Sequence, residues 1–219
     1  MNIQQNIEKI KAQLPENVSL VSVSKFHSAE DILEAYNCGE RDFGESRVQE
    51  LLTKYQTLPK DILWHFIGPL QSNKIKQIAP FIHLIHSVES EKLLSEINRF
   101  AEKNQQKISV LLEVHIANED QKHGFSYNEI HTFFENKDYQ KFPFVEICGL
   151  MGIATFTPDN KQINNEFSQI KTLFDEIKTV FASPNFNTLS IGMSDDFPLA
   201  IANGSTMVRI GSKIFGERI

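Results

Sequence analysis

The amino-acid sequence predicts a single α/β domain, a TIM (β/α)8 barrel preceded by an extra N-terminal helix. Three observations carry this expectation. Eight strand-like segments alternate with helix-like ones along the 219 residues, the pattern of a parallel sheet with crossover helices. No low-complexity tract or Pro/Gly-rich linker divides residues 1–219. The first strand runs into Lys25, whereas a doubly wound sheet, the alternative architecture, usually opens a glycine-rich phosphate loop there.

The elements follow in order. Met-Asn-Ile-Gln-Gln-Asn-Ile-Glu-Lys-Ile (1–10) reads as a polar amphipathic helix. It lacks the basic start and apolar stretch of a secretory signal. Val-Ser-Leu-Val-Ser-Val-Ser (18–24) is the first strand, because apolar β-branched residues alternating with small ones suit a strand buried on both faces. Residues 28–37 begin Ser-Ala-Glu-Asp, an N-cap followed by acids in the first helical turn. Strands are expected at 41–45, 63–68 and 82–87. Segment 90–103 then sets Leu93, Leu94, Ile97 and Phe100 on one helical face. Strands at 109–116 and 145–153 lead to the clearest helix, 161–181, where Ile163, Phe167, Ile170, Phe174, Ile177 and Phe181 recur every three or four residues. Strand 188–193 ends in small residues, and Asp-Asp-Phe-Pro-Leu-Ala-Ile-Ala (195–202) starts a helix with Ser194 as its expected N-cap. The last strand, 206–211, closes on Gly-Ser.

Composition narrows the function. With 22 Lys+Arg against 28 Asp+Glu the net charge is −6, which disfavours nucleic-acid binding through a basic surface. No apolar run reaches membrane-spanning length. Cys38 and Cys148 form neither a ligand cluster nor a disulfide framework, which fits a reducing cytosol and a cytoplasmic location. His83, His86 and His115 are scattered over strands without ligand spacing, so no metal is expected. A Ser/His/Asp order, a P-loop and a zincin motif are all missing.

The chemistry gathers at strand ends. Lys25 stands at the carboxyl end of the first strand, where an α/β barrel keeps its ligand crevice. A partly desolvated ammonium loses its proton more readily, and the free amine attacks aldehydes. That is the requirement for a Schiff base with pyridoxal phosphate (PLP). Gly192, Met193 and Ser194 follow the seventh strand, and Gly211 and Ser212 the eighth, the usual phosphate-binding corner of a barrel. Such turns let backbone amides approach a phosphate closely. Asp195 and Asp196 would repel the phosphate, so their side chains are expected to point away. Arg209 alternates with Val208 and Ile210 inside an apolar strand. A buried guanidinium needs a partner, either a carboxylate on a neighbouring strand or a ligand held by Gly211 and Ser212. Ser46 and His65 add polar groups at the carboxyl sides of strands two and three. His65 reads either as a hydrogen-bonded core histidine or as a cofactor contact.

Leu-Val-Ser-Val-Ser-Lys (20–25), Phe-Gly-Glu-Ser-Arg-Val-Gln-Glu (43–50), Trp-His-Phe-Ile-Gly-Pro-Leu-Gln-Ser-Asn-Lys (64–74), Gly-Leu-Met (149–151), Gly-Met-Ser (192–194) and Val-Arg-Ile-Gly-Ser-Lys-Ile-Phe-Gly (208–216) together make a chain that resembles the pyridoxal phosphate homeostasis protein family. These are single-domain relatives of the alanine racemase barrel. The resemblance implies PLP held on Lys25 as an internal aldimine, its phosphate on Ser194, Gly211 and Ser212, and its pyridine nitrogen facing Arg209. Ser46 stands where the family usually has asparagine, Ser212 replaces a threonine, and His115 replaces a common asparagine.

The resemblance further implies a PLP carrier or regulator in vitamin B6 homeostasis, without robust catalysis and with no catalytic residue assigned. The alternative is a PLP-dependent amino-acid racemase. Racemases of this barrel family add a β-rich domain supplying a second acid/base group, and the barrel is expected to take up this chain through Ile219. Racemisation needs acid/base work on both faces of the carbanion, and Lys25 offers one. A guanidinium at the pyridine nitrogen also weakens the cofactor as an electron sink. The partners expected are PLP and PLP-dependent client enzymes, with no nucleic acid or membrane. The chain itself is expected to be a monomer or weak dimer.

Overall fold

The structure, a computed structural model, describes residues 2–117 and 123–216. Eight parallel strands close into a barrel in sequence order. They are β1 (Ser19–Val23), β2 (Asp42–Glu45), β3 (Leu63–Phe66), β4 (Ile82–Val88), β5 (Ile108–Val114), β6 (Val145–Gly152), β7 (Thr188–Ser190) and β8 (Met207–Ile210). Pairing of β8 with β1 completes the ring. The helices are α1 (Ile3–Lys11), α2 (Ala29–Asn37), α3 (Val48–Thr57), α4 (Ile75–Ile78), α5 (Glu91–Lys103), α6 (Tyr127–Glu135), α7 (Asn160–Phe181), α8 (Phe197–Ala202) and α9 (Ser212–Phe215). Every expected strand is present, and the N-terminal helix precedes the barrel. Among the described residues no helix is long and apolar enough to cross a membrane.

Local chemistry explains the boundaries. Ser28 accepts from the Asp31 N–H while the Asp31 carboxylate accepts from the Ser28 N–H, a full capping box at the start of α2. Ser90 caps α5. Strand β7 stops at Ser190, short of the expected 193, because Gly192 takes φ +95° and leaves the extended region. One expectation is corrected. Ser194 does not cap α8: that helix starts at Phe197 with Pro198 in its first turn and Asp196 at the N-cap position. Proline lacks an N–H and belongs in a first turn, so it sets the start too far along for Ser194 to reach.

Two apolar layers divide the labour. The outer one, between sheet and helices, is large and holds Phe43, Trp64, Phe66, Leu112, Leu150, Phe167 and Phe197. Burial of each such side chain contributes about 1.5–3 kcal/mol. The α1 residues Ile3, Ile7 and Ile10 join this layer, and the Asn6 amide donates to the Ile214 carbonyl at 2.9 Å, fastening α1 to α9. The inner layer is small: Val21, Leu84, Leu111, Met151 and Met207. Polar side chains occupy much of the remaining lumen, and they define the site.

Candidate functional site

Lys25 is half-buried just past β1, between two residues tied to one buried ionic cluster. On its amino side, the Ser24 hydroxyl donates to Glu45 Oε1 at 2.6 Å, and the Ser24 carbonyl accepts from Lys54 Nζ at 2.8 Å. On its other side, the Phe26 N–H donates to Glu50 Oε1 at 2.6 Å. Lys54 Nζ lies 2.7 Å from Glu45 Oε1 and 2.6 Å from Glu50 Oε1, so one ammonium ties both carboxylates together. Burial pushes the Glu45 carboxyl up to about 7, against the pull of the Lys54 ammonium. Phe26 adopts φ +70°, a conformation that costs a bulky residue about 1–3 kcal/mol. The cluster around Glu50 holds that turn, and the Arg47 guanidinium covers the Phe26 ring at 4.7 Å.

The loops after β7 and β8 meet beside it. Gly192 is required by its positive φ and by close packing: a Cβ there would lie 2.5 Å from the Ala200 Cβ. The Met193 N–H donates to Asp196 Oδ1 at 2.5 Å, which turns that carboxylate back onto its own loop. Ser194 Oγ accepts from the Gly211 N–H at 3.3 Å and joins the two loops. Gly211 sits against β1, where an added Cβ would lie 3.0 Å from the Val23 carbonyl. Among the described residues, the N–H groups of Ser194, Ser212 and Lys213 have no hydrogen-bond partner, and the exposed Ser212 hydroxyl has none either. Unspent donors from adjoining loops make an anion-binding corner.

Arg209 is 4% exposed. Its Nη1 donates to the Ser190 carbonyl and hydroxyl, both at 2.7 Å, and Nη2 to the Gly152 carbonyl at 3.0 Å. Among the described residues no carboxylate lies within ion-pair distance of it. Burial lowers its pKa to about 10, with Asp196 and Glu113 opposing from further away, so the group remains cationic at neutral pH.

From Arg209 a hydrogen-bonded chain crosses the lumen. His86 Nδ1 lies 3.1 Å from Ser190 Oγ, His86 Nε2 lies 2.9 Å from His65 Nδ1, and His65 Nε2 lies 2.9 Å from Asp42 Oδ1. Burial first, then the charges of His65 and Arg209, holds His86 well below the ordinary histidine range, so it carries one proton. The Asp42 carboxylate only accepts, so His65 donates from Nε2. With His65 neutral, His86 donates to it, Ser190 donates to His86, and Arg209 donates to Ser190. Every bond then runs the same way, from guanidinium to carboxylate.

Of the residues singled out in the sequence, Lys25, Ser46, Gly192, Met193, Ser194, Gly211 and Ser212 all lie beyond the carboxyl ends of their strands, at one mouth of the barrel. Ser46 abuts the loop after β3, since a Cβ on Gly68 would meet the Ser46 carbonyl at 2.3 Å. Arg209 points into the lumen and reaches the ends of β6 and β7. His65 lies deeper, with both ring nitrogens engaged by Asp42 and His86. Ser190, His86, Glu45 and Lys54 were not anticipated. Glu45 ends β2 and Lys54 lies in the last turn of α3, so their meeting depends on how that helix packs back on the strand. His86 and Ser190 carried no local signal. A cleft of about 310 Å³ opens beside Met193, lined by residues 153–158, Asp195 and Asp196. Phe26, Ile153, Met193 and the 93%-exposed Phe156 give this mouth an apolar rim.

A lysine-bearing (β/α)8 barrel with a donor-rich corner after its last two strands defines a class, and the model of the alanine racemase N-terminal domain family matches residues 1–219. Within that class the chain belongs to the pyridoxal phosphate homeostasis protein family. The protein of that name from Pasteurella multocida (strain Pm70) is 39% identical over 99% of this chain and 94% of its own length. PipY of Synechococcus elongatus PCC7942, at 34% identity, superposes over 98% of this chain and 100% of its own. The TM-score is 0.91 for its structure without PLP and 0.87 for the one with PLP bound. Alanine racemase of Clostridium difficile 630 shares the fold, with a TM-score of 0.81 at 17% identity, and this chain spans 56% of it.

Proposed function

We propose that this chain binds PLP at the carboxyl mouth of the barrel and serves PLP homeostasis without robust turnover. The observation that carries this reading is the convergence at one mouth of Lys25 and the unspent donors of the β7 and β8 loops. Lys25 holds the cofactor as a Schiff base. Ser194, Gly211, Ser212 and the neighbouring amides hold its phosphate, with Gly192 and Met193 shaping that loop. Arg209 faces the pyridine nitrogen, and Ser46 lines the opposite wall. His65 acts at one remove, through His86 and Ser190, by orienting Arg209.

The residues present fit the group. Gly211 keeps β8 open where a side chain would press on Val23, and three backbone donors remain for an anion. When bound, PLP supplies an aldehyde for amines and an electron-withdrawing ring. This chain's residues restrain the second capacity. Arg209 offers only donors and stays charged, so it provides no acceptor for a proton on the ring nitrogen. The exposed apolar rim at Phe26, Ile153, Phe156 and Met193 supports contact with PLP-dependent client enzymes. We propose that the chain is a monomer or weak dimer.

The test is reduction of the PLP-loaded protein with borohydride, followed by digestion and mass spectrometry. The adduct is expected on Lys25, and label on Lys74 or Lys213 instead would overturn the assignment. Incubation with L-alanine and L-serine is expected to give no multiple-turnover racemisation by chiral chromatography. Turnover that disappears in Lys25→Ala would replace the carrier reading with an enzyme.

A further inference from the structure

We propose that Asp42, His65 and His83, at the amino-terminal mouth of the barrel, form a binding site for a divalent first-row transition metal of the zinc class. The three side chains come from neighbouring strands β2, β3 and β4, and one potential ligand atom of each lies within 4.8 Å of the other two. A tetrahedral site with bonds of about 2.0–2.1 Å sets its ligand atoms roughly 3.4 Å apart. His65 Nε2 and Asp42 Oδ1 already stand at 2.9 Å. His83 is exposed, so a rotamer change of its ring is the movement that metal binding would require.

A backbone irregularity brings His83 there. Trp64 pairs with Ile82, but the next residue, His65, pairs with Leu84. His83 is therefore the extra residue of a bulge. Bulges at barrel rims re-aim a side chain that regular alternation would send elsewhere. Burial is graded across the three, from enclosed His65 through half-buried Asp42 to exposed His83, so an ion has both an inner wall and an entry path.

The surroundings of His65 complete the site. A metal-bound imidazole usually donates its other N–H to a second residue, which fixes its tautomer. His65 Nδ1 has that partner in His86 Nε2 at 2.9 Å. Loading a metal on Nε2 moves the His65 proton to Nδ1, where it is donated to His86. His86 then carries its own proton on Nδ1, facing Ser190 Oγ at 3.1 Å. The His65–His86 and His86–Ser190 bonds reverse with no net proton released, while Arg209 still donates to Ser190 Oγ. Two imidazoles and one carboxylate suit zinc, cobalt or nickel, whereas magnesium and calcium prefer all-oxygen ligation. Three protein ligands leave at least one coordination position for water.

The experiment is titration of the chelator-stripped full chain with cobalt(II), read by visible ligand-field absorption, with zinc(II) as competitor. One equivalent of cobalt is expected to give the intense bands of a four- or five-coordinate ion, and zinc to abolish them. His83→Ala changes an exposed side chain and is expected to weaken binding by at least about tenfold, as is Asp42→Asn. His115→Ala and His123→Ala are expected to leave the titration unchanged. Absence of intense bands at stoichiometric cobalt, or a titration unaltered by His83→Ala, would overturn the site. The readout does not involve the cofactor, and Lys25→Ala is expected to retain it, so this site and the proposed PLP site succeed or fail separately.

Discussion

The two mouths of this barrel are cut from the same eight strands, yet they offer opposite chemistry. The carboxyl mouth presents donors: the unpartnered N–H groups of Ser194, Ser212 and Lys213, and the Arg209 guanidinium beneath them. The amino mouth gathers groups that can ligate a cation: the Asp42 carboxylate with the imidazoles of His65 and His83. Between them the chain through Ser190 and His86 runs from donor to acceptor. Backbone polarity underlies part of the difference. Loops leaving parallel strands enter helices, whose first N–H groups lack intrahelical partners. An anionic ligand therefore suits one end and a cation the other.

The largest effect expected is at Lys25. Lys25→Ala should eliminate the borohydride-trapped PLP adduct, read by digestion and mass spectrometry. A persistent adduct of unchanged stoichiometry would break the assignment of chemistry to the carboxyl mouth.

Next comes the support under Lys25. Lys54→Met leaves Glu45, Glu50 and the Ser24 carbonyl without their shared cation. Removing one partner of a buried pair costs about 3–5 kcal/mol, measurable by urea unfolding. A cost below about 1 kcal/mol would mean that the cluster is solvated and does not brace the turn.

Glu45 gives the comparison a pH signature. Its folded pKa, about 7, lies above its ordinary value, so the folded chain holds this proton more tightly than the unfolded one. The associated stability is full at acid pH, declines as pH rises from about 4.5 to about 7, and is flat above. The decline is on the order of 3–4 kcal/mol at most. Glu45→Gln should remove it, so the stability gap between wild type and variant should change across that window. Parallel stability curves would show that Glu45 ionises normally.

Much of the carboxyl mouth was legible in the sequence, because its signals are local. The β-branched run ending at Lys25 and the small residues at 192–194 and 211–212 declare strand ends without knowledge of the partner strand. The misplaced cap at Ser194 was local too: Pro198 already marked the start of α8. The amino mouth was illegible for a physical reason. Asp42 and His65 are 23 residues apart, and in the lumen above them His86 and Ser190 are 104 apart. Their meeting depends on which face of each strand turns inward. The bulge that adds His83 to the pair depends on register between β3 and β4, and no spacing rule along the chain reports register.

The smallest effect sharpens the donor side. Ser194→Ala with Ser212→Ala removes two hydroxyls from the proposed phosphate corner and leaves the backbone amides in place. Neutral hydrogen bonds are individually modest, so PLP affinity should fall by about 1–3 kcal/mol in total. Affinity for unphosphorylated pyridoxal should barely move, since it has no phosphate to lose contacts. Ser194→Ala also frees the Gly211 N–H, which it now satisfies at 3.3 Å, so part of the loss should be recovered by that amide. The ratio of PLP to pyridoxal affinity, measured by equilibrium titration in wild type and double variant, isolates the corner from Lys25. If wild type binds the two vitamers equally, the donor-rich corner is not a phosphate site, and the difference between the mouths has no bearing on the cofactor.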